Sequence, residues 1–552
     1  MNRITGRSAF LALLKDEGVT HLFGNPGTTE LPIMHALKDH PDLTYVLGLQ
    51  EALVVAMADG FSRASGRLVA CNVHVAPGLG NAMGSLFNAK FTGTPMILTA
   101  GQQEQGHGLT EPLLYDPLVP IAAPLVKWAV EVTRLEDVPR VLRRAAKVAM
   151  TPPTGPVFLS LPGDILNAEA GLDLGASTRV ETRTRPAEDV LAALAKRLLR
   201  AERPVIVAGD EIVKSDALAA AAAFAETLGC PAYQQSAPYG AHFLSEHVCY
   251  AGSLSRDQRQ VRALLAKFDL MIVLGADPLR MSVWSETEPL PPHLPVVHVG
   301  LLDWEMGKNF AAEFAVRADL RETLEALTPL LRQHGGETLA RRAKAGLGQL
   351  SRQNWSAKRG ELRQRLALGA NAKPIDYDWL TLAIAEALPR DAVVVNEGLT
   401  SARHLSDLVP YRDRYGFHAL ASGGIGWGLP AAVGVALAQA PRPVCCYSGD
   451  GSAMYSIQAL WTAAHHKLPI TYVIANNGGY RIIKQRLRSF HGNDHYIGMD
   501  FADPAIDFAA LARAMGMPAE TITEPAAVPA ALRRAFASAG PKLLDIVVEG
   551  GV

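Results

Sequence analysis

Residues 444–452, Val-Cys-Cys-Tyr-Ser-Gly-Asp-Gly-Ser, and residues 470–480, Ile-Thr-Tyr-Val-Ile-Ala-Asn-Asn-Gly-Gly-Tyr, share one plan. Each is an apolar run rich in strand formers that ends in a glycine-bearing turn, and a helical stretch separates them. Strand, helix and strand in that order predict a parallel sheet with helices on its faces. Ligands of such sheets sit outside the carboxyl ends of the strands, so both turns should face one crevice. Asp450 and Asn477 would bring a carboxylate and an amide oxygen there, the hard ligands that Mg²⁺ prefers, with phosphate oxygens completing the shell. The glycines permit close backbone approach to a diphosphate. Ser452 is expected to open a helix whose N-terminal amides favour that anion. A lone Gly-Asp-Gly is common in ligand-free βα turns; the paired Asn-Asn on the next strand makes the signal specific.

Working outward, the same alternation recurs across the chain. At 552 residues it exceeds a single core, which stops growing at roughly 250–300 residues. Strands are expected at 68–73, 95–99 and 157–161, at 205–208 and 270–274, and at 392–395, 444–447, 471–474 and 543–548. The fold class is therefore α/β, with three doubly wound parallel-sheet domains at 1–175, 186–332 and 371–552. Residues 333–370 should connect the last two, with the basic stretch 341–365 as a solvated linker helix.

Several function classes fall away. A net charge of −1 gives no overall pull toward nucleic acid or anionic membrane. The cysteines at 71, 230, 249, 445 and 446 are odd in number and lack a Cys-x-x-Cys pair, against a disulfide framework or zinc site. The apolar run at 9–14 stops at Lys15 and is too short for a span or a signal peptide, so a cytoplasmic protein acting on a small molecule is expected.

The other end of the chain offers an acid. Glu51, in Leu49-Gln50-Glu51-Ala52, stands where a short strand gives way to a helix, a place where burial can raise a carboxyl pKa. A first-turn Glu favouring the helix dipole is the ordinary meaning of such a residue. The C-terminal pair, however, resembles the diphosphate-binding signature of thiamine-diphosphate enzymes. Residues 23–32, Phe-Gly-Asn-Pro-Gly-Thr-Thr-Glu-Leu-Pro, then 49–52, Asn72-Val73-His74 and 78–84 look like the N-terminal domain of the benzoylformate decarboxylase family. Asn396-Glu397, Ser422-Gly423-Gly424-Ile425-Gly426 and 449–461 match its C-terminal domain.

That resemblance implies pyrimidine-binding, central and diphosphate-binding domains, thiamine diphosphate and Mg²⁺ as cofactors, and at least a homodimer, doubled to a tetramer. Asp450, Asn477 and the Gly479 carbonyl would hold Mg²⁺. Gly451, Ser452, Tyr455, Thr400 and Tyr480 would complete the cofactor contacts. Ile425 would be the apolar wedge that bends the cofactor, and the Gly423 carbonyl would accept from its amine. Glu51 would share a proton with the pyrimidine, so that the ring's own amine can take the thiazolium C2 proton. A 2-oxo acid would then lose CO₂ to give an aldehyde, or an acyloin after attack on a second carbonyl. His74 would move a proton beside the reacting carbon, and Thr28 would stand where the family carries a substrate-binding Ser.

The departures bear on substrate. Counting on from the strand at 270–274, Ser282 occupies the place of a second family histidine, and a hydroxyl cannot titrate near neutrality. Arg481-Ile482-Ile483-Lys484-Gln485-Arg486 is basic where the family pocket is apolar, either as a solvated helix face or as a pocket for an extra anionic group. Pyruvate decarboxylases carry tandem histidines in the first domain; here only His107 stands in that loop, and His465-His466 should pack or face solvent. An acetolactate-synthase-like transferase or an acyl-CoA lyase using the same cofactor is the alternative, to be favoured by an FAD or nucleotide site in the central domain. No Gly-x-Gly-x-x-Gly follows 205–208.

Overall fold

A computed structural model describes residues 3–282 and 284–552. It contains three six-stranded sheets, as the alternation of elements predicts. In the N-terminal sheet the order is Thr44–Leu47, His21–Gly24, Val69–Val73, Met96–Gln102, Val157–Pro162, Ala129–Glu131, and every neighbouring pair is parallel. Strands such as Val69–Val73 are buried along their whole length, because helices cover both faces and leave no side for polar alternation. In the C-terminal sheet, Val393–Glu397, Val444–Gly449, Ile470–Asn476, Lys542–Val547 and Ala519–Ile522 lie side by side and parallel. The central sheet runs Tyr250–Ser253, Ala232–Gln234, Pro204–Ala208, Leu270–Leu274, Val296–Gly300, Phe314–Arg317, again all parallel.

The chain forms two compact units. One joins the N-terminal stretch through Val180 to Gly369–Arg403 and Leu420–Val552; the other joins Glu181–Leu368 to His404–Ala419. In the first unit, helices Glu51–Ser65 and Gly428–Gln439 cross at backbone contact. A Cβ on Gly60 would lie 2.3 Å from the Ala431 carbonyl oxygen, and one on Gly434 only 1.9 Å from that of Met57. Only glycine allows that approach. One buried cluster, including Leu53, Met57, Trp427, Val433 and Cys446, continues through both sheets' inner faces.

The second unit revises one expectation. Residues 341–365 are not one solvated linker helix but parts of two helices, Leu320–Leu350 and Trp355–Leu366. Leu339, Leu350 and Trp355 are buried in the central core, so this stretch packs on that core rather than standing in solvent. No helix of the described residues is long and apolar enough to cross a membrane.

Candidate active site

At the end of strand Val444–Gly449 the chain turns at once into a helix, Asp450–Met454, of 5 residues. Ser452 does not open this helix as expected: the helix begins two residues earlier, at Asp450 with Gly449 as N-cap, and Ser452 lies inside its first turn. Asp450 is 2% exposed. Its Oδ1 accepts from the Gly451 N–H (2.8 Å), and its Oδ2 accepts from the N–H groups of Asn477 and Gly479 (3.1 Å each). One carboxylate thus ties together the two turns read from sequence. Burial pushes its pKa up, and the backbone N–H groups oppose that push. A buried carboxylate held only by neutral N–H groups, in contact with the turn that also carries the Asn477 amide and the Gly479 carbonyl, offers the hard-oxygen chemistry that fits Mg²⁺. Gly451 is bare for a reason: a Cβ there would stand 2.8 Å from the Tyr480 ring, which packs edge-on against Phe501 at 4.8 Å.

The remaining C-terminal candidates surround this point in the fold. Thr400 sits in the short turn Leu399–Ala402 that follows strand Val393–Glu397, next to Leu399 with φ +43°. Gly423 and Ile425 lie on the connection that enters helix Gly428–Gln439, and the Gly423 carbonyl accepts from the Ile425 N–H (3.0 Å). Tyr455, 58% exposed, packs its Cβ on Gly426, whose φ is +89°.

In the N-terminal domain, Glu51 begins its helix as expected, with Gln50 as the cap. Its Oε2 accepts from Asn81 Nδ2 (3.0 Å), and Gly78 leaves room for its carboxylate. His74 ends up at the N-cap of helix Val75–Thr92, followed by Val75 at φ +37°, a strained setting for a β-branched residue. Its Nδ1 lies 2.8 Å from Glu30 Oε2. A carboxylate only accepts, so the proton of the neutral ring sits on Nδ1, with Nε2 as its other nitrogen.

Glu30 was missed as a functional residue. It is fully buried and also accepts from the N–H groups of Gly27 (2.9 Å) and Gly101 (2.7 Å) and the Thr29 hydroxyl (2.8 Å). Its presence within 23–32 was the available signal. Thr28 is exposed at the start of the same turn. Among the described residues, no hydrogen bond joins Glu51, His74 or Thr28 to Asp450, Asn477 or Gly479 within one chain.

Known proteins share the chain's domain order. The thiamine pyrophosphate enzyme N-terminal TPP-binding domain matches residues 4–112, the central domain 191–327, and the C-terminal TPP-binding domain 400–546. A benzoylformate decarboxylase from Pseudomonas aeruginosa is 35% identical over 99% of each chain.

The chain is a thiamine pyrophosphate enzyme.

The crystal structure of a benzoylformate decarboxylase from Polynucleobacter necessarius, 30% identical, superposes with a TM-score of 0.87 over 99% of each chain. The large subunit of acetolactate synthase isozyme 1 from Escherichia coli is also similar, 25% identical over 99% of this chain and 94% of that one.

The surroundings of this thiamine pyrophosphate enzyme's candidate site include buried basic residues. The expected solvated face at 481–486 is corrected at two positions. Arg481 is 6% exposed, stacked 3.9 Å over Tyr377 and donating to the Glu549 carbonyl (3.3 Å); Lys484 is 8% exposed and paired with Asp500. Tyr377 and Asp500 supply the π-face and charge that make their burial tolerable. Arg486 remains exposed, as do Ser282 and His107. His465 stacks on Trp461 at 5.0 Å, a packing role.

In the central domain, the strand order reverses between Pro204–Ala208 and Leu270–Leu274, where a nucleotide would sit in a fold of this kind. Glu211, just past the first of these strands, accepts from the N–H groups of Leu301 (2.5 Å) and Leu302 (3.1 Å), which follow strand Val296–Gly300. Gly275 and Gly300 make room for Glu211 itself.

Proposed function

We propose that the protein catalyses non-oxidative decarboxylation of a 2-oxo acid to an aldehyde, with some carboligation, using thiamine diphosphate held through Mg²⁺. When bound, the cofactor supplies the electron sink that bond cleavage beside a carbonyl requires. Asp450, Asn477 and the Gly479 carbonyl would hold the metal. Gly451, Ser452, Thr400, Tyr455 and Tyr480 would line the diphosphate side, with Gly423, Ile425 and Glu51 at the pyrimidine. Thr28 would orient the substrate carboxylate. Residues 1–175 and 371–552 would be the two cofactor-binding domains, with 186–332 central and 333–370 connecting.

The observation that carries the reading is the His74–Glu30 pair at 2.8 Å. With Nδ1–H fixed on a buried carboxylate, Nε2 is the one nitrogen free to take and return a proton. Protonation of the product carbon is what separates aldehyde release from transfer to a second substrate. No hydrogen bond within one chain joins Glu51, His74 or Thr28 to Asp450, Asn477 or Gly479 among the described residues, which is compatible with a site completed by a second chain; we read the assembly as a homodimer at least, arranged as a homotetramer, and the protein as cytoplasmic.

A transferase resembling acetolactate synthase, or an acyl-CoA lyase, is the second reading, favoured by the full-length likeness to the Escherichia coli enzyme. Glu211 weighs against the nucleotide site that reading would favour. The test is CO₂ release from aromatic, aliphatic and dicarboxylic 2-oxo acids with thiamine diphosphate and Mg²⁺ added. Release should require both additions and fall by about 100-fold or more in Glu51→Gln, the scale of a general acid–base group. Cofactor binding without CO₂ release from any acid would transfer the assignment to the second reading.

A further inference from the structure

Residues 422–428 carry Gly423 and Ile425, yet none of the proposed cofactor contacts explains how this connection is held. Three buried side chains hold it. Glu397, 1% exposed at the end of strand Val393–Glu397, accepts through Oε1 from the N–H groups of Gly426 (2.7 Å) and Trp427 (3.3 Å). Its Oε2 accepts from Gly428 (2.6 Å). Asp59, fully buried on helix Glu51–Ser65, accepts through Oδ2 from the Trp427 indole N–H (2.6 Å). Its Oδ1 takes the Thr94 hydroxyl, and Arg63 lies 3.7 Å from Oδ2 with its guanidinium 4.6 Å over the Trp427 ring. Asn88, 1% exposed on helix Val75–Thr92, donates to the Gly424 carbonyl (2.8 Å) and accepts from the Ser422 hydroxyl.

The connection also has no slack. A Cβ on Gly424 would stand 2.7 Å from the Gly84 carbonyl oxygen, and one on Gly426 2.5 Å from the Tyr455 Cβ. The two N-terminal helices that reach it are the ones that begin at Glu51 and directly after His74. Each therefore has a proposed catalytic group at its start and a grip on the Ile425 connection further along.

We infer that Asp59 and Glu397 are positioning residues that fix the 423–428 connection, and with it Ile425 and the Gly423 carbonyl, against the helix that begins at Glu51. The inference rests on the proposed reading of Ile425 and Gly423 as cofactor contacts. In the ionised form both groups accept through both oxygens, because every partner they meet, the neighbouring Arg63 included, is a donor. An amide of the same shape would turn one NH₂ against a donor and leave the packing otherwise unchanged.

The test uses the full-length protein with thiamine diphosphate and Mg²⁺ in three variants: Asp59→Asn, Glu397→Gln, and Trp427→Phe, which removes the indole donor and keeps a ring. Cofactor affinity by equilibrium dialysis, kcat and KM for the preferred 2-oxo acid, and the melting temperature of the cofactor-free protein are read together. Asp59→Asn and Glu397→Gln should weaken cofactor binding or lower kcat by about 10-fold, the effect of one mismatched buried hydrogen bond, with KM little changed. Trp427→Phe should lose activity in the same direction, and combining it with Asp59→Asn should lose less than the two separate losses multiplied. Wild-type affinity and kcat in either folded carboxylate variant would overturn the inference, as would multiplicative loss in the double variant. Failure of the wild-type protein to bind thiamine diphosphate would overturn the cofactor reading first, and would be seen before any variant is made.

Discussion

His74 illustrates how much of a site depends on a neighbour. The imidazole is legible in the sequence only through the motif around it, and its useful nitrogen is fixed by Glu30, a buried acid that reads as an ordinary turn residue. Glu30→Gln keeps the shape but places an NH₂ among four donors. If that NH₂ turns toward His74, Nδ1 must accept and the ring proton moves to Nε2. The expected result is a fall in kcat of about 10–100-fold with a stability loss of about 1–3 kcal/mol, and a changed tautomer in the histidine ¹⁵N spectrum. Asp450 was the opposite case. Glycines on either side and a matched Asn-Asn one strand away made its place beside the second turn readable, whereas Asp59, in mid-helix between Ala58 and Gly60, carries no such frame. A carboxylate whose partners come from distant helices leaves no local pattern.

Among the elements, helix Gly428–Gln439 is capped from outside by Glu397, which sits at its N-terminus where unpaired N–H groups gather. Burial lifts the Glu397 pKa to about 7, against the pull of the three N–H groups. A carboxyl raised above its unfolded value of 4.5 lends stability that is present below that value and lost as pH climbs through about 7. The melting temperature of wild type minus that of Glu397→Gln should therefore fall between pH 5 and pH 8, a change on the order of 3 kcal/mol. A constant difference would show that Glu397 does not titrate in that range. Strand positions were well anticipated, since buried parallel strands are continuous apolar runs. Helix 481–491 was not, because Tyr377 and Asp500, which make its burial of Arg481 and Lys484 tolerable, lie outside the segment.

For the molecule as a whole, the three-sheet plan was visible in the alternation of elements, but the grouping into two units was not. Segment His404–Ala419 belongs with the central residues although it lies within the third domain's sequence; contacts that skip along the chain leave no mark on composition. This grouping makes cofactor removal informative. Thiamine diphosphate and Mg²⁺ at about 1,000 times Kd should stabilise the unit built from the N- and C-terminal stretches by about 4 kcal/mol. In calorimetry, that transition should move up on loading and return on chelation with EDTA. A transition of the central unit should stay where it is.

The Glu211 carboxylate gives the central domain a different relation to small anions. Because it is tied to the same backbone that presents the Leu301 and Leu302 N–H groups, it acts as a tethered competitor, with an effective concentration on the order of millimolar or higher. A small anion would have to displace the Glu211 side chain before it could take those two N–H groups. Whatever the central domain meets, those two N–H groups are already committed to its own side chain.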